Sequence, residues 1–492
     1  MRSKTKREIE ASVRTTSEPA DPVGFFARVT VVGIAIRVAM VVASPRFGYF
    51  QDHDDLARWG LQAAEEGVLT LYDHPPKPAD LRIPLEGGAW GIGRREMDRL
   101  CNYPPLCVYL LGASGGIFKA VSSERLVNTF SSRASIAGWS FVFDILLAWG
   151  CASLTAQLSG GRSARRAYAW VLLAPPFWVV SSLWGQVDTW VLAPAVWMVR
   201  AMTAGQWGLA GLLYGVTAAI KPQAAAFIPV WGLAIFVTRS AWKPIASLGV
   251  AALTLNVLAL PFWLHSGAAW WRQSYQANLF EHSKGMTTLM AFNVWYLDCM
   301  LTGSVDEAAR CLGLTKATWG QLALALALIC GFVFVLRRWA TDRGAYVLYC
   351  LLALLAFVML PTRVHDRFIL LVLPFLIVAA VRWVRPTWLI LLIAATGQVT
   401  WPQWLSASSA DWQFFEKEQR EKYAEVLAAT PKAERASQPS LDEVLRSARA
   451  EYELRNEKTR PIEWAVTLLS LIGTATVVVG VVRLRRAGSN TS

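Results

Sequence analysis

The sequence predicts an all-α, polytopic transmembrane helical bundle of about 11 to 13 spans, and three observations support this class. Hydrophobic residues make up 54% of the 492 residues and charged residues only 17%, with a mean hydropathy of +0.35. Windows of about 20 mostly apolar residues, long enough to cross a bilayer as a helix, recur from Phe25 to Val482. Basic residues cluster between these windows. This composition excludes an ordinary soluble enzyme.

The basic clusters set the predicted orientation. The 48 Lys and Arg residues exceed the 35 Asp and Glu residues by 13, a balance that on a soluble domain indicates nucleic-acid binding. Here the excess lies in short connections, as the positive-inside rule expects of cytoplasmic loops, so we predict a multi-pass cell-membrane protein and no nucleic-acid partner. The clusters assigned to the inner side are Arg162 to Arg166, Arg200, Arg239 with Lys243, Arg337 with Arg338, Arg382 with Arg385, and Arg483 to Arg486.

The chain opens with a charged, Ser/Thr-rich segment, residues 1–20, which is predicted to be a disordered cytoplasmic tail. The first apolar run, Phe25 to Ala43, has no small-residue cleavage pattern before Phe47, so we expect an uncleaved span. The polar segment 45–101 then forms an outer loop, and loops of this length are more often functional than not.

The remaining spans are placed by their apolar runs, and the predicted module covers residues 21–401 with a second outer loop at 265–316. Residues 402–461 are predicted as an outer helical loop or lid, or equally a solvated connector, and residues 462–492 as a last span with a basic tail. Of the seven cysteines, only Cys299 and Cys311 lie where a disulfide could form. The spans run at about 135–157, 165–183, 185–203, 206–220, 223–238, 245–264, 317–337, 343–361, 367–383, 386–401 and 462–482.

The segment from Tyr103 to Val121 raises a problem of parity. Counted as a crossing, it would turn every later basic cluster outward. Two solutions stay open: this segment enters from the outer side and returns, or residues 206–238 form one irregular span. Both put the two polar loops on one outer face, together with the stretches around Gln186, Lys221 and His365.

Five polar groups interrupt the apolar sequence, and retained charges near spans commonly line a cavity or pathway. In the first group, Asp52, Asp54 and Asp55 repel one another, which favours a bound cation or a raised pKa, although a solvated acidic loop start is the alternative. A helix start, a tight turn and a snorkelling lysine are the plainer interpretations of the next three. The second to fifth groups are, in order, Asn102 to Leu106, Trp184 to Asp188, Ile220 to Gln223, and Arg363 to Arg367.

Together these groups offer carboxylates at one end of the outer face and the cations Lys221, His365 and Arg367 at the other. Such a cavity suits a reaction with a general base and a stabilised anionic leaving group. Phosphate is the natural anion for Arg and Lys, and the surrounding apolar helices would hold the tail of a lipid phosphate.

The five groups and their order resemble those of the GT-C glycosyltransferases. The resemblance is greatest to the dolichyl- or polyprenyl-phosphate-glucose-dependent glucosyltransferases of lipid-linked oligosaccharide assembly, and it indicates a bacterial relative of those enzymes. In that family an acidic residue precedes a Trp by seven positions, as Asp52 precedes Trp59. The other similar segments are Tyr103 to Leu106, Gly185-Gln186, Lys221 with Gln223, Leu279-Phe280-Glu281, Asn293-Val294-Trp295, and Val364-His365-Asp366-Arg367.

The resemblance implies an inverting hexosyltransferase of GT-C type. Such an enzyme moves glucose, mannose or another envelope sugar from a polyprenyl-phosphate donor to a lipid-linked or glycan acceptor on the periplasmic or extracellular face. It implies catalytic carboxylates at Asp52, Asp54 and Asp55, with Asp52 as the general base, and no required cofactor; a Mg or Mn ion on Asp52 and Asp54 stays an alternative. Lys221, His365, Arg367 and Arg363 would bind the donor phosphate. The implied substrate-cavity residues are Trp59, Tyr103, Gln186, Asp188, Gln223, Glu281, Asn293 and Trp295.

Two other classes of function remain as alternatives. A transporter or lipid flippase would use the helix break at Lys221 as part of a substrate path, but the two halves of the chain show no inverted repeat. A polysaccharide polymerase or ligase would share the lipid-phosphate chemistry and use Arg and His in a late outer loop, which the stretch from Arg363 to Arg367 fits in part.

Overall fold

The structure is a computed structural model, and it describes residues 22–84, 89–95, 99–122, 125–281, 284–383, 386–400 and 439–484, with the isolated positions 416, 419, 420, 423 and 427. The predicted N-terminal tail, most of the predicted lid and the basic C-terminal tail lie outside the described residues. The expectations for those segments stay predictions.

Helices dominate the first half of the chain. The α-helices are α1 (Pro22–Phe47), α2 (Phe50–Glu66), α3 (Pro105–Val121), α4 (Phe130–Ser159), α5 (Gly161–Leu173), α6 (Pro175–Trp178), α7 (Asp188–Thr203), α8 (Trp207–Ile220), α9 (Ile228–Val237) and α10 (Trp242–Ser266). Shorter elements between them are the 3₁₀ helices Val68–Tyr72 and Pro222–Phe227, the π-helix Val179–Trp184, and the strands β1 (Ala79–Pro84), β2 (Trp90–Arg95) and β3 (Leu126–Val127).

The second half follows the same plan. Its α-helices are α11 (Ala269–Trp271), α12 (Val294–Thr302), α13 (Lys316–Trp339), α14 (Ala345–Met359), α15 (Leu373–Trp383), α16 (Leu389–Thr400) and α17 (Leu441–Val482). The other elements are the π-helix Arg272–Glu281, the 3₁₀ helices Asp366–Leu371 and Pro386–Trp388, and the strands β4 (Thr288–Leu289), β5 (Arg310–Cys311), β6 (Leu314–Thr315) and β7 (Val364–His365).

The transmembrane helical class is confirmed. Among the described residues, α1, α4, α10, α13 and the second half of α17 are long and apolar enough to cross a bilayer, and a sixth candidate is a pair of helices bent by 42°. Five further apolar helices have only 10 to 17 residues, shorter than the roughly 20 of a straight crossing. The number of spans therefore stays a prediction.

Two details differ from the sequence-based expectation. The last predicted span is the second half of a continuous helix, α17, which begins at Leu441 after a capping box between Ser440 and Glu443. Cys299 is buried and Cys311 is exposed, and both are free thiols, so the disulfide that the sequence allows between them is not formed.

Short strands hold the polar segments between the helices, and the apolar pattern of the sequence does not predict these strands. In the loop 45–101, β1 pairs with β2 as an antiparallel hairpin and with β3 in parallel. In the second half, β4 pairs in parallel with β7, so that Thr288 lies opposite Val364 and Leu289 opposite His365. This ladder holds the loop before α12 against the segment that carries His365 and Arg367.

The helix is interrupted at Lys221, as the sequence predicts. Helix α8 ends at Ile220, Lys221 is extended with φ −155° and ψ 140°, and the chain resumes as a 3₁₀ helix at Pro222. Proline lacks an amide hydrogen and disfavours a helical residue before it, which explains the extended lysine. The stretch 206–238 thus consists of two short apolar helical segments around this break, whereas α3 runs without a break from Pro105 to Val121. Both solutions of the parity problem stay predictions.

Two glycines let α2, which carries Asp52, pack closely on α3. A Cβ atom added to Gly115 would lie 1.8 Å from the carbonyl oxygen of Gly60, whereas one added to Gly116 would meet no atom within 4 Å. We expect Gly115→Ala to lower the free energy of unfolding by about 1–3 kcal/mol, because the helices must separate. Gly116→Ala, the matched control, should leave it unchanged or raise it by up to about 1 kcal/mol. Thermal unfolding of both variants in detergent is the measurement, and equal melting temperatures would contradict the prediction.

Candidate active site

Asp52 lies in the first turn of α2, and one of its carboxylate oxygens contacts several hydrogen-bond donors. Its Oδ2 accepts hydrogen bonds from Gln186 Nε2 at 2.7 Å and from Trp184 Nε1 at 3.1 Å, and lies 3.4 Å from Arg367 Nη1. No described residue donates to Oδ1, and the side chain is 25% exposed. The carboxylate is therefore oriented through one oxygen while it stays accessible from outside.

A bent, widened helix places the donors to Asp52. The chain bends by 42° between α5 and α6, where Pro175 and Pro176 follow Ala174, and then continues as the π-helix Val179–Trp184. Gly185 ends the π-helix with a positive φ of 82°, a conformation that glycine adopts without strain. The turn that follows points Gln186 toward Asp52. Isolated π-helical turns occur frequently at functional sites.

Opposite charges alternate beyond Asp52. Lys221 Nζ lies 2.6 Å from Asp188 Oδ1, and both side chains are buried. Arg367 Nε lies 3.6 Å from Asp188 Oδ2, and its guanidinium carbon is 5.4 Å from the centre of the Trp184 ring. The result is a chain of charges in the order Asp52, Arg367, Asp188, Lys221. Burying such charges is costly unless they are paired, which the alternation achieves.

A cavity of about 290 Å³ adjoins this chain of charges. Lys221 and Arg367 line it on one side, with Arg363 and His365 nearby, and the Tyr103 ring centre lies 5.9 Å from Lys221 Nζ. The other polar lining residues are Asn102, Gln223, Asn278, Gln321 and Thr362. The apolar lining residues include Ala225, Ala226, Leu324, Phe357 and Phe368. The cavity lining thus combines cationic and apolar side chains.

The two aspartates that follow Asp52 in the acidic run pair with separate arginines and do not form a cluster with it. Asp54 is paired with Arg58 at 2.6 Å in the protein interior, and Asp55 is paired with Arg99. These ion pairs relieve the repulsion that the sequence suggests among the three carboxylates. Across the described ranges, no three His, Cys, Asp or Glu side chains converge as a metal site would require.

His53 has a different environment from its acidic neighbours. It is fully buried, its Nε2 lies 3.1 Å from Ser132 Oγ, and burial together with the nearby Arg133 holds its pKa well below the usual range. Because imidazole is then neutral at physiological pH, the charge in this part of α2 comes from the carboxylates.

Arg363 lines the cavity but its guanidinium is already paired. Nε and Nη2 contact the two carboxylate oxygens of Glu307 at 2.7 and 2.5 Å, and Nη1 donates to the carbonyl of Phe280 at 3.0 Å. The backbone of Arg363 has a positive φ of 62°, which is uncommon for a residue with a side chain. Glu307 thus holds Arg363 at the edge of the cavity.

The other predicted cavity residues separate into two groups. Tyr103, Gln186, Asp188 and Gln223 lie at the cavity or the chain of charges. The remaining four, Trp59, Glu281, Asn293 and Trp295, are not among the residues that line the cavity.

Each of those four residues has another position. Asn293 caps the start of α12 and also donates to the Val358 carbonyl, and Trp295 Nε1 donates to the Leu360 carbonyl. Trp59 is buried against Tyr103, and Glu281 is exposed at the end of a π-helix. Asn293 and Trp295 therefore attach α12 to the end of α14.

Three residues of the site have roles that the sequence does not indicate. Trp184 belongs to a recognisable polar turn, but nothing in the sequence marks its indole as a donor to Asp52. Asp366 accepts a hydrogen bond from the Arg367 amide at 2.7 Å and thereby orients that turn. Glu307 lies in a segment without any motif, so no signal points to its ion pair with Arg363.

Comparison with known proteins identifies the family. The profile of glycosyltransferase family 87 matches residues 103–361. ArnT from Cupriavidus metallidurans, solved with bound undecaprenyl phosphate, is similar at 14% identity with a TM-score of 0.45, over 94% of this chain and 78% of that one. The apo oligosaccharyltransferase from Archaeoglobus fulgidus is similar at 12% identity with a TM-score of 0.34, over 94% of this chain and 57% of that one. No curated protein sequence matches. Because the family profile covers more than half of the chain, the protein belongs to glycosyltransferase family 87.

Proposed function

We propose that this membrane glycosyltransferase moves a hexose or another envelope sugar, with inversion, from a polyprenyl-phosphate donor to a lipid-linked or glycan acceptor on the outer face. The position of Arg367 carries the proposal. Its guanidinium contacts Asp52 on one side and lines the cavity of about 290 Å³ on the other. A base and a phosphate-binding group thus belong to one site, where they would act on opposite faces of the anomeric carbon.

Asp52 is the proposed general base. Its carboxylate takes the proton of the acceptor hydroxyl as the hydroxyl oxygen attacks the anomeric carbon of the donor. The bond from that carbon to the phosphate oxygen breaks at the same time, and the phosphate leaves with the electron pair. Attack from the face opposite the phosphate inverts the anomeric centre. The hydrogen bonds from Gln186 and Trp184 keep the carboxylate in place during this step.

Cations at the cavity stabilise the departing phosphate. Arg367, Lys221, His365 and Arg363 all line the same cavity. Fixed positive charges in a water-poor site stabilise a developing anion strongly, so a phosphate can leave without a proton. We therefore propose that no cofactor is required, and the divalent cation on Asp52 and Asp54 stays the alternative to be tested by adding Mg²⁺ or Mn²⁺.

The composition of the cavity supports a lipid-linked sugar. Its apolar lining residues, which include Leu324, Phe357 and Phe368, suit the first isoprene units beside the phosphate. Among the polar lining residues, Gln223 has its Oε1 buried without a hydrogen-bond partner among the described residues. A buried acceptor atom without a partner is costly, so a sugar hydroxyl would be a favourable ligand for it.

The test is donor consumption by the full-length protein in lipid nanodiscs. The donors are short-chain polyprenyl phosphates that carry glucose, mannose or arabinose, and a lipid extract from the host supplies acceptors. We expect one donor to be consumed with release of free polyprenyl phosphate. If no donor is consumed or bound, the proposal is wrong, and a transport assay in liposomes would follow.

Loss of the Glu307–Arg363 ion pair should increase the affinity for the donor. We expect Glu307→Gln to bind the donor several-fold more tightly, because its neutral amide releases Arg363 for the phosphate. Asp306→Asn is the control, since Asp306 accepts from the Ala308 amide and contacts no arginine among the described side chains. Unchanged or weaker donor binding by Glu307→Gln, measured in nanodiscs, would contradict a phosphate role for Arg363.

The same pair has a defined pH dependence. Burial alone would raise the pKa of Glu307, but hydrogen bonds from Arg363, Gly285 and Thr362 outweigh burial and place it below the usual value. A carboxyl with a lowered pKa stabilises the fold above its unfolded pKa of about 4.3, and this contribution is lost as the pH falls through the lower folded pKa. At neutral pH the pair is therefore intact.

A further inference from the structure

A buried ion pair joins the middle of α1 to the middle of α4. Arg37 Nε lies 2.5 Å from Asp144 Oδ2, and both side chains are only 1% exposed. Both helices are long and apolar enough to cross a bilayer, where charged side chains are costly and commonly functional. The proposed chemistry at Asp52 uses neither residue.

This pair is poorly suited to stabilise the fold. Arg37 Nη2 and Asp144 Oδ1 have no hydrogen-bond partner among the described residues, although both atoms are buried. An incompletely satisfied buried ion pair contributes less to stability than well-packed apolar side chains of similar size. A role in positioning neighbouring segments explains the pair better than a role in stability.

The pair holds the bent segment that leads to Asp52. Ser181, in the π-helix, donates its hydroxyl to Asp144 Oδ2 at 2.8 Å. Arg37 Nη1 donates to the carbonyl of Leu172 at 2.8 Å, in the last turn of α5. The contacts therefore lie on both sides of the 42° bend, and Ser181 is less than one helical turn before Trp184.

A second buried arginine holds the other end of the same segment. Arg133 Nη1 donates to the carbonyls of Leu183 and Trp184 at 3.3 and 3.2 Å, and its Nε donates to Asn128 Oδ1 at 2.8 Å. The last carbonyls of a helix lack partners within the helix, and this guanidinium satisfies two of them. The π-helix is thus held at Ser181 by Asp144 and at its end by Arg133.

We propose that Arg37, Asp144 and Ser181 are positioning residues for the reaction at Asp52. They hold the π-helix so that Trp184 and Gln186 donate to Asp52 Oδ2. This inference rests on the proposed role of Asp52 as the base. A displacement of about 1 Å at a reacting group can cost roughly a hundredfold in rate, so a cluster remote from the substrate can control turnover.

The test begins with Ser181→Ala, which removes the hydroxyl and keeps the ion pair. We expect kcat to fall about tenfold while KM for the donor stays within about twofold, because the cations of the cavity are not touched. Ser182→Ala is the matched control: Ser182 is equally buried in the same π-helix, and its hydroxyl lies 3.3 Å from that of Ser181. It should stay within about twofold of the wild type, and Ser181→Thr, which keeps a hydroxyl, should recover most of the kcat.

A double-mutant cycle with Gln186→Ala separates positioning from general loss of stability. If Ser181 acts through the donors to Asp52, Ser181→Ala should cost less than about threefold in kcat once Gln186 is gone. A tenfold loss in both backgrounds, or a loss confined to KM, would overturn the inference.

One measurement does not depend on turnover. Amide hydrogen exchange over residues 179–186 should be faster in Ser181→Ala than in Ser182→Ala, and equal exchange in the two variants would also overturn the inference. A wild-type protein that consumes no donor would instead contradict the proposed function, and the exchange measurement would still show whether Ser181 holds the π-helix in place.

Discussion

Asp52→Asn should lower turnover by about a thousandfold and leave donor affinity within about twofold, the range expected when a general base is lost. The amide has nearly the same shape and can still accept hydrogen bonds from Gln186 and Trp184, but it cannot take a proton from the acceptor. The measurement is release of free polyprenyl phosphate, together with donor binding to the same nanodiscs. Retained activity in this variant would remove Asp52 from the mechanism.

The matched control for this experiment is Asp73→Asn. Asp73 is a carboxylate elsewhere in the segment 45–101, and it pairs with His265 at 2.8 Å at an exposed position. Its neutralisation changes the net charge by the same amount as Asp52→Asn. Activity close to that of the wild type is expected. A similar loss in both variants would mean that the charge of the loop, rather than the base, governs turnover.

Membership of glycosyltransferase family 87 confirms the predicted class of a membrane glycosyltransferase and favours group transfer over the transporter alternative. The matched range, 103–361, contains Gln186, Asp188 and Lys221 but neither Asp52 nor Arg367. The assignment of base and phosphate-binding residues therefore depends on the geometry of this chain, where Arg367 connects the two ends of the site.

The sequence is most informative where local chemistry decides the conformation. The helix break at Lys221 follows from the proline after it, and the polar turn at Trp184 to Asp188 stands out between apolar runs. These features depend on residues adjacent in the chain and need no knowledge of distant ones. Gln186, Asp188 and Lys221 can therefore each be singled out as candidate site residues from the sequence alone.

The sequence does not show in the same way which charged side chains form ion pairs with each other. The acidic run follows an apolar span and resembles the start of a loop, which conceals the helical spacing of Asp54 and Arg58, four residues apart on α2. The pairs of Asp55 with Arg99 and of Glu307 with Arg363 join residues far apart in sequence. The two-residue strands β4 and β7 are too short to show a periodic pattern.

The second large effect is expected at Arg367. We expect Arg367→Ala to weaken donor binding roughly 10- to 150-fold, which corresponds to the loss of one hydrogen bond to a charged group at about 1.5–3 kcal/mol. Turnover at saturating donor should also fall, since Arg367 contacts Asp52 and would stabilise the departing phosphate. Arg367→Lys keeps the charge but loses the planar fork, so its effect should be intermediate.

Arg382→Ala provides the control that separates phosphate binding from the loss of a half-buried ion pair. Arg382 is 15% exposed against 13% for Arg367, and it pairs with Asp342 at 3.0 Å, at the opposite end of α15 from the site. Both variants remove an arginine that is paired with aspartate, so they should cost similar stability. Only Arg367→Ala should weaken the binding of a polyprenyl phosphate, measured by titration into nanodiscs at constant salt. If donor affinity is unchanged in Arg367→Ala, or falls equally in both variants, Arg367 does not bind the phosphate, and Lys221 with His365 would have to supply the charge that the leaving group requires.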